Sequence, residues 1–525
     1  MQIKVIVNSD PIMSMPTPGG SSASNAPPAP GGGGAPGGEK KGSSREGMLA
    51  VNDLTYVLPP DLSVSVNRTH KNHFFQSTEY KNSQRAICIL NSGADYGDMR
   101  QSTLNFSIAL QVPANVATTD RSSAIFGKNG SAINYIKNLL VTSRSGDELC
   151  RLTDLNHLSA TIMGFKYDGQ WHNTVGQAMG VATGTRGGST DTGEVLVRYS
   201  IPMYCLTELF AYKRLLPAAL LAGMRIEIDW APPSEAFAVG EEKTGLALAA
   251  APRTTAEIKS YSIKQLYVSM FSVQLTDGTQ RALNEMSAVN GLEIVYCDYE
   301  RTEQNIQSNS SSHVEVRKAA SRALKAFANV RLTDDVGQWN KDSLATAPWD
   351  VSQWQWQLGA LYFPQQPVKS PPATVTDSLN ETYTHALIAF ERYKPDGKCA
   401  AVPFNGTTNY LENPFGNIEG DMLDTTGRRS VTMYDGTYNA EAEHKGLGLA
   451  ETSAGRRGTF SNGHSTICCL LERTDLFNLT GVPINNARVL ALRTSHEGAV
   501  AHTITIFLKY VRLARVFLNN VEVEQ

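Results

Sequence analysis

The sequence predicts a mainly β chain made of two similar halves, with short helices in the connections. Three observations carry this. Apolar residues alternate at period two along many short segments bounded by turn residues, while helical periodicity is scarce. A long strand, a linker helix and a new strand follow one another over 261–296, near the middle of 525 residues. Short motifs on either side of that joint echo each other in the same order.

The joint begins with Tyr261 to Leu275, read as one strand. Tyr261, Ile263, Tyr267, Phe271, Val273 and Leu275 share one face, and Leu266, Val268 and Met270 make the other apolar as well. A strand apolar on both faces is expected between two layers, with the halves packed on each other. Asp277 is positioned to cap a helix with Gln280 reaching back, Arg281 to Met286 fit that helix, and Asn290-Gly291 stops it. Leu292 to Tyr296 then opens a second strand.

The echoes run in order. Ala50 to Val57 resembles Ala288 to Val295, and Thr207-Glu208-Leu209-Phe210 resembles Thr474-Asp475-Leu476-Phe477. The strand from Tyr261 resembles the closing strand Ile504 to Leu518. Their shared order favours tandem duplication and divides the chain into an arm (1–47), a first unit (48–276), a linker helix (277–288) and a second unit (289–525).

The arm is dominated by Gly, Pro, Ala and Ser from Met15 to Gly42, so it buries too little to offset its ordering entropy. Gly31 to Gly34 lack the Lys-Ser/Thr of a phosphate loop. Lys40, Lys41 and Arg45 make it mildly basic, which fits a solvated tail or, as the alternative, a contact with nucleic acid or another shell component.

In the first unit, Leu104 to Val112 alternate, and Asn138 to Thr142 and Glu148 to Leu152 flank a tight turn at 143–147. Residues 164–193 form a Gly-, Thr- and Ser-rich excursion with Trp171 and His172. Val195 to Ile201 and Met224 to Trp230 read as strands, with a helix-like Leu206 to Leu215 between them. In the second unit Val314 to Val330 suits either a helix or a twisted edge strand. Trp354 to Gly359 and Ala386 to Phe390 read as strands, and 395–463 is a longer polar excursion. Long loops at matching places in two β units are expected to carry outer-surface identity.

Composition excludes several classes. A formal charge of −3 with 18% charged residues offers no global basic field for nucleic acid. Seven cysteines (88, 150, 205, 297, 399, 468 and 469) contain no CxxC and are expected to be buried free thiols made in a reducing compartment. No secretory signal pattern and no apolar run of membrane-spanning length is seen. His70-Lys71-Asn72-His73 has metal-compatible spacing only on a helix, and its neighbours favour a loop. There is no Gly-x-Ser-x-Gly elbow. Arg428-Arg429 and Arg456-Arg457 read as solvated loop tips, with polyanion recognition as the alternative. Of Trp339, Trp349, Trp354 and Trp356, the last two lie on one strand face and fit a core better than a stacking platform for sugars or bases. No catalytic, cofactor-binding or metal residue is assigned, so a binding or assembly protein is expected.

Several runs bear a family likeness. Phe126-Gly127-Lys128-Asn129-Gly130-Ser131-Ala132-Ile133-Asn134-Tyr135-Ile136, followed by Ser143 to Glu148, resembles the first barrel of major capsid proteins of polinton-like viruses and virophages. So do Leu215-Leu216-Pro217 before Met224 to Asp229, Arg317 to Leu324, and Leu361 to Pro367. The resemblance implies a double jelly roll, two tandem eight-stranded sandwiches, and a homotrimer of pseudo-sixfold outline that tiles an icosahedral virion. It further implies penton and minor or cement proteins as partners, synthesis in the host cytoplasm or nucleus, and an arm at the shell base facing membrane or genome. The excursions 164–193 and 395–463 would then form an outward tower facing the host surface. The competing classes are a tandem jelly-roll lectin or spike, normally secreted with paired cysteines, and a cupin-type enzyme, whose metal ligands the chain lacks.

Overall fold

The structure is a computed structural model. It describes residues 65–111, 125–127, 131–167, 171, 174–180, 194–239, 260–333, 351–369, 380–391, 466–472, 481–485, 488–496, 501–518 and 520–524. The arm 1–47, the echo at 50–57, the motif at 474–477, the excursion 395–463 and most of 164–193 lie outside the described residues.

Among the described residues, eight strands that build two main sheets precede the joint: β1 (Ser65–Phe74), β2 (Arg85–Ile89), β3 (Tyr96–Gln111), β4 (Ile136–Thr142), β5 (Glu148–Leu152), β6 (Glu194–Pro202), β7 (Arg225–Trp230) and β8 (Tyr261–Leu275). They form two antiparallel sheets, ordered β1-β8-β3-β6 and β2-β7-β4-β5. Eight more follow: β9 (Leu292–Ile306), β10 (Ser311–Val316), β11 (Ala320–Leu332), β12 (Val351–Leu358), β13 (Leu361–Lys369), β14 (Ile467–Leu470), β15 (Leu490–His496) and β16 (His502–Val516). Their sheets are ordered β9-β16-β11-β14 and β10-β15-β12-β13. Each strand of the second set thus takes the place of the strand eight earlier in the first. Two four-stranded layers wound in this order are a jelly roll, and the chain carries it twice. Short additional strands pair at the margins, as Glu79–Lys81 does with β8.

Alternation decides what each sheet buries. In β3, Leu104, Phe106 and Ile108 point into the first roll, while Thr103, Asn105 and Ser107 lie on its outer face. In β11, Ala326, Ala328 and Val330 face the second core, which holds Trp354, Trp356, Leu492 and Ile506. Both tryptophans are interior and cannot serve as an exposed stacking platform.

Three helices matter for function. Helix α1 (Leu155–Lys166) lies between β5 and β6. Helix α2 (Asp277–Val289) spans the joint between β8 and β9. Helix α3 (Asn380–Ala389) lies between β13 and β14, the place equivalent to that of α1.

The structure corrects several expectations. Ala386 to Phe390 is not a strand but the end of α3. Thr382, Ala386 and Ala389 are buried at spacings of four and three, a helical face that a five-residue apolar run cannot reveal. Leu206 to Leu215 is a series of turns after the 3-10 turn Met203–Cys205, and Leu216 pairs with Gly97 instead. The cap of α2 is Thr276, not Asp277: its hydroxyl lies 2.9 Å from that of Thr279, and its carbonyl accepts from the Gln280 amide. Gly291 at φ +70° follows the helix, a left-handed conformation that glycine adopts without strain. The ambiguous segment 314–330 resolves into β10 and β11, because strand pairing on both sides outweighs the helix propensity of its Ala, Lys and Arg. His70 to His73 is strand, not loop, within β1.

The doubly covered strand is also not the one expected. β8 leaves Gln265, Phe271 and Gln274 exposed, whereas β16 is buried at almost every residue from His502 to Tyr510. The reason is the order of packing. The outer face of β9-β16-β11-β14 lies against the first roll, so β16 is central in a sheet covered on both sides.

Candidate assembly surfaces

The joint between the rolls is built from α1 on one side and the outer face of sheet β9-β16-β11-β14 on the other. Phe165 of α1 stacks on Phe390, at the end of α3, with centroids 4.4 Å apart. Phe390 packs on Phe327 of β11, and Phe327 on Phe507 of β16. The His157 ring sits edge-on to Phe507 at 5.5 Å. Around this aromatic centre several polar groups are paired, while His157 Nδ1 has no hydrogen-bond partner among the described residues. Asn329 donates to Thr161 Oγ1 at 2.6 Å, lies 3.2 Å from His157 Nε2 and accepts from Thr466 at 3.1 Å. Burial, followed by the cations Arg331, Arg301 and Lys137, holds His157 well below the usual imidazole range, so it is neutral at pH 7.

Charges of both signs meet here. The second roll presents Arg301, Lys325, Arg331 and Lys509 together with Glu303, which pairs with Arg301 and Arg331, and the first supplies Asp154, Glu208 and Lys166. Arg301 pairs with Asp154 at the start of α1. Lys509 lies 3.5 Å from Glu208, which Lys166 also reaches at 3.1 Å. Burial raises the Glu208 carboxyl, but Lys509 and Lys166 outweigh it and hold the group at about 2. Burial drives Lys325 down to about 8, with Lys509 adding repulsion; its ammonium donates to the Ala389 carbonyl at 3.1 Å and lies over Phe390.

A second contact lies along the edges of β5 and β9. Arg512 Nη1 donates to Asp298 Oδ2 at 2.8 Å, and its Nη2 donates to the Glu148 carbonyl of the first roll at 2.7 Å. Cys150 Sγ approaches Asp298 Oδ1 at 3.3 Å, and the Tyr296 hydroxyl donates to the Leu149 carbonyl. The side chains of Arg512 and Asp298 are 3% and 1% exposed, so the pair is sealed from water. The alternation Ile294-Tyr296-Asp298, with a charge on an apolar face, is the sequence signal that could have disclosed it.

One surface of each kind is left open among the described residues. The outer face of β1-β8-β3-β6 shows Phe74 at 71%, Leu196 at 44% and Phe271 at 36% exposure. His70 stacks on Phe271 at 4.5 Å and Phe74 tilts against Tyr267 at 5.8 Å, with Arg68 and Arg198 exposed nearby. Leu283 of α2 covers only the end of this sheet, at Val273 and Leu275. On the second roll, α3 is anchored by Thr382, which accepts from Trp354 Nε1 at 3.0 Å, and its far side carries Glu381, Thr384 and Ile388.

The sequence candidates fall outside these surfaces, with one exception. His70 belongs to the open face of the first roll, bonded to Ser269 rather than to any metal, and His73 is on the opposite side of β1. Among the described residues there is no group of three metal-ligating side chains, and the six described cysteines are free. Trp339, Trp349, Arg428, Arg429, Arg456 and Arg457 lie outside the described residues. A polar groove of about 480 Å3 on the outer face of β10-β15-β12-β13 is lined by Arg493, His313, Gln353 and serine hydroxyls. Among the described residues, no helix is long and apolar enough to cross a membrane.

No family model and no curated protein matches the sequence. Among solved structures, one from the PBCV-1 virus capsid matches over 90% of this chain and 99% of its own, with a TM-score of 0.50 at 8% identity. The fold is a double jelly roll, shared with that capsid chain. The structure of the Sputnik virophage gives 0.49 at 9% identity, covering 90% of this chain and 93% of that one. The mavirus major capsid protein gives 0.45 at 10% identity, covering 95% and 97%.

Proposed function

We propose that the chain is a major capsid protein, the repeated tile of an icosahedral virus shell. The observation that supports it is the pair of jelly rolls in one chain, alignable over 99% of a chain from the PBCV-1 capsid. Three copies joined in a ring would give six similar rolls and a nearly hexagonal outline. The role is structural rather than enzymatic. In this reading residues 48–276 and 289–525 are the two building units, 277–288 links them, and 1–47 is an inward or lateral arm. Penton and minor capsid proteins, with membrane or genome beneath, are the further partners. The excursions 164–193 and 395–463 would face outward toward the host.

The reading is tested by expressing the whole chain and examining it by light scattering and electron microscopy. Trimers of hexagonal outline, or closed shells, are expected. A chain that stays monomeric at micromolar concentration and neutral pH overturns it.

A further inference from the structure

Two rows of polar side chains cross the outer face of β10-β15-β12-β13, and strand register sets them. In the first row His313 pairs with Arg493, and Arg493 with Gln355. In the second, two residues along each strand, Ser311, Ser495, Gln353 and Lys369 stand side by side. Residues two apart on a strand share a face, so the rows run about 7 Å from each other. The groove of about 480 Å3 lies over them, a volume typical of small-ligand sites. This face points away from the joint, because the other sheet of the same roll, β9-β16-β11-β14, is the one that meets the first roll.

The groove has a cation to spare. The Arg493 guanidinium lies over the Tyr362 ring at 5.3 Å, which fixes its plane, and it makes no ion pair among the described residues. Lys369, exposed at the end of the second row, makes none either. No Asp or Glu lines the groove. Glu315, at its margin, lies 3.8 Å from His313 and is matched there. The glutamines spend amide hydrogens within the sheet: Gln353 donates to Ser495 at 3.2 Å, and Gln355 to the Pro364 and Gln365 carbonyls, both at 3.0 Å. Their carbonyl oxygens stay available as acceptors, with the Ser311 hydroxyl beside them.

We propose that this groove binds an acidic sugar, a pyranose bearing a carboxylate, in a glycan of the host surface. Arg493 takes the carboxylate through its two-pronged fork, and the Gln353 and Gln355 carbonyls accept from sugar hydroxyls. The charge calls for an anion and the acceptors for a hydroxyl-rich one. Other occupants fit less well. A protein partner would seat apolar or aromatic anchors, and of the apolar lining residues Trp354 is buried and only Pro367 is exposed. Nucleic acid would need more than two unpaired cations along its phosphates. The proposal goes beyond the capsid reading and does not rest on it, since the groove is complete within one molecule.

The test titrates the full-length chain with 3′-sialyllactose, with a hyaluronan tetrasaccharide and with neutral lactose, followed by calorimetry. At least one acidic sugar should bind ~10-fold or more tightly than lactose, as a charge-assisted pair produces. Arg493→Gln should erase that preference and leave lactose binding as it was. Gln353→Ala should weaken all binding sugars alike. Both positions are exposed, so both variants should keep the wild-type melting temperature. A wild type that binds neither acidic sugar at millimolar concentration overturns the proposal, as does a preference that survives Arg493→Gln. Acetate or inorganic phosphate that competes as well as the acidic sugar reduces the groove to a simple anion site and overturns the sugar assignment. Tighter binding of poly-glutamate overturns it in favour of an acidic protein segment. None of these outcomes depends on whether the chain is a monomer or a trimer, so they leave the capsid reading to its own test.

Discussion

The ring of Phe165 in the first roll lies on the ring of Phe390 in the second, 4.4 Å between centroids and 4° between planes. Phe165 is fully buried, and Phe390 passes the contact on to Phe327. Phe165→Ala is expected to cost about 3–5 kcal/mol through the cavity it opens. Intrinsic fluorescence should register the loss in both rolls, since Trp230 reports on the first and Trp354 and Trp356 on the second.

Arg512→Met is expected to be more damaging than the loss of an exposed ion pair. It leaves Asp298, whose carboxyl burial raises and Arg512 chiefly lowers, without its cation in a dry site. Loss of one partner from such a pair costs about 3–5 kcal/mol. The double variant Arg512→Met with Asp298→Asn should recover part of that loss. Urea unfolding of the three proteins measures it, and a double variant no better than the single one would contradict the argument.

Acidification should loosen the joint between the rolls. A carboxyl lowered in the folded state contributes stability that is fully present above its unfolded value, 4.5, and lost as pH falls toward about 2. For Glu208 that contribution is at most about 3 kcal/mol. Glu208→Gln should be less stable at pH 7 and show a shallower fall in stability between pH 4.5 and 2. Thermal melts across that range provide the measurement.

Helix α3 is held to the second roll by hydrogen bonds from Trp354 to Thr382 near its start and from Lys325 to the Ala389 carbonyl at its end. Thr382→Val keeps the shape and removes the acceptor, leaving a buried indole N–H unpaired at a cost of about 1–3 kcal/mol. Amide exchange over residues 381–389 should accelerate more than exchange in β12. Equal protection in both proteins would show that the helix is held without the Trp354–Thr382 bond.

The parts of the fold legible in the sequence were those governed by local alternation. β4, β5, β7 and the long β8 follow from period-two patterns bounded by turn residues, and the Asn290-Gly291 stop marks the end of α2. Helix α3 was not legible, because Ala386 to Phe390 is apolar whichever period is applied, and only its packing over Trp354 separates the two. The surfaces were least legible. Phe271 and Phe507 both sit in long apolar strands, yet one is exposed and the other buried. What distinguishes them is whether a helix from another roll lies on top, a fact of tertiary packing that no window of sequence contains.

The repeated strand order has a kinetic consequence. In a ring of six rolls made from six separate molecules, every joint has to be found by collision. Here α2 ties the rolls in pairs, so half of the joints close within single molecules as they fold, whatever the protein concentration. In the trimeric assembly proposed above, ring formation would then scale with the third power of concentration rather than the sixth, so rings would form while the protein is still dilute.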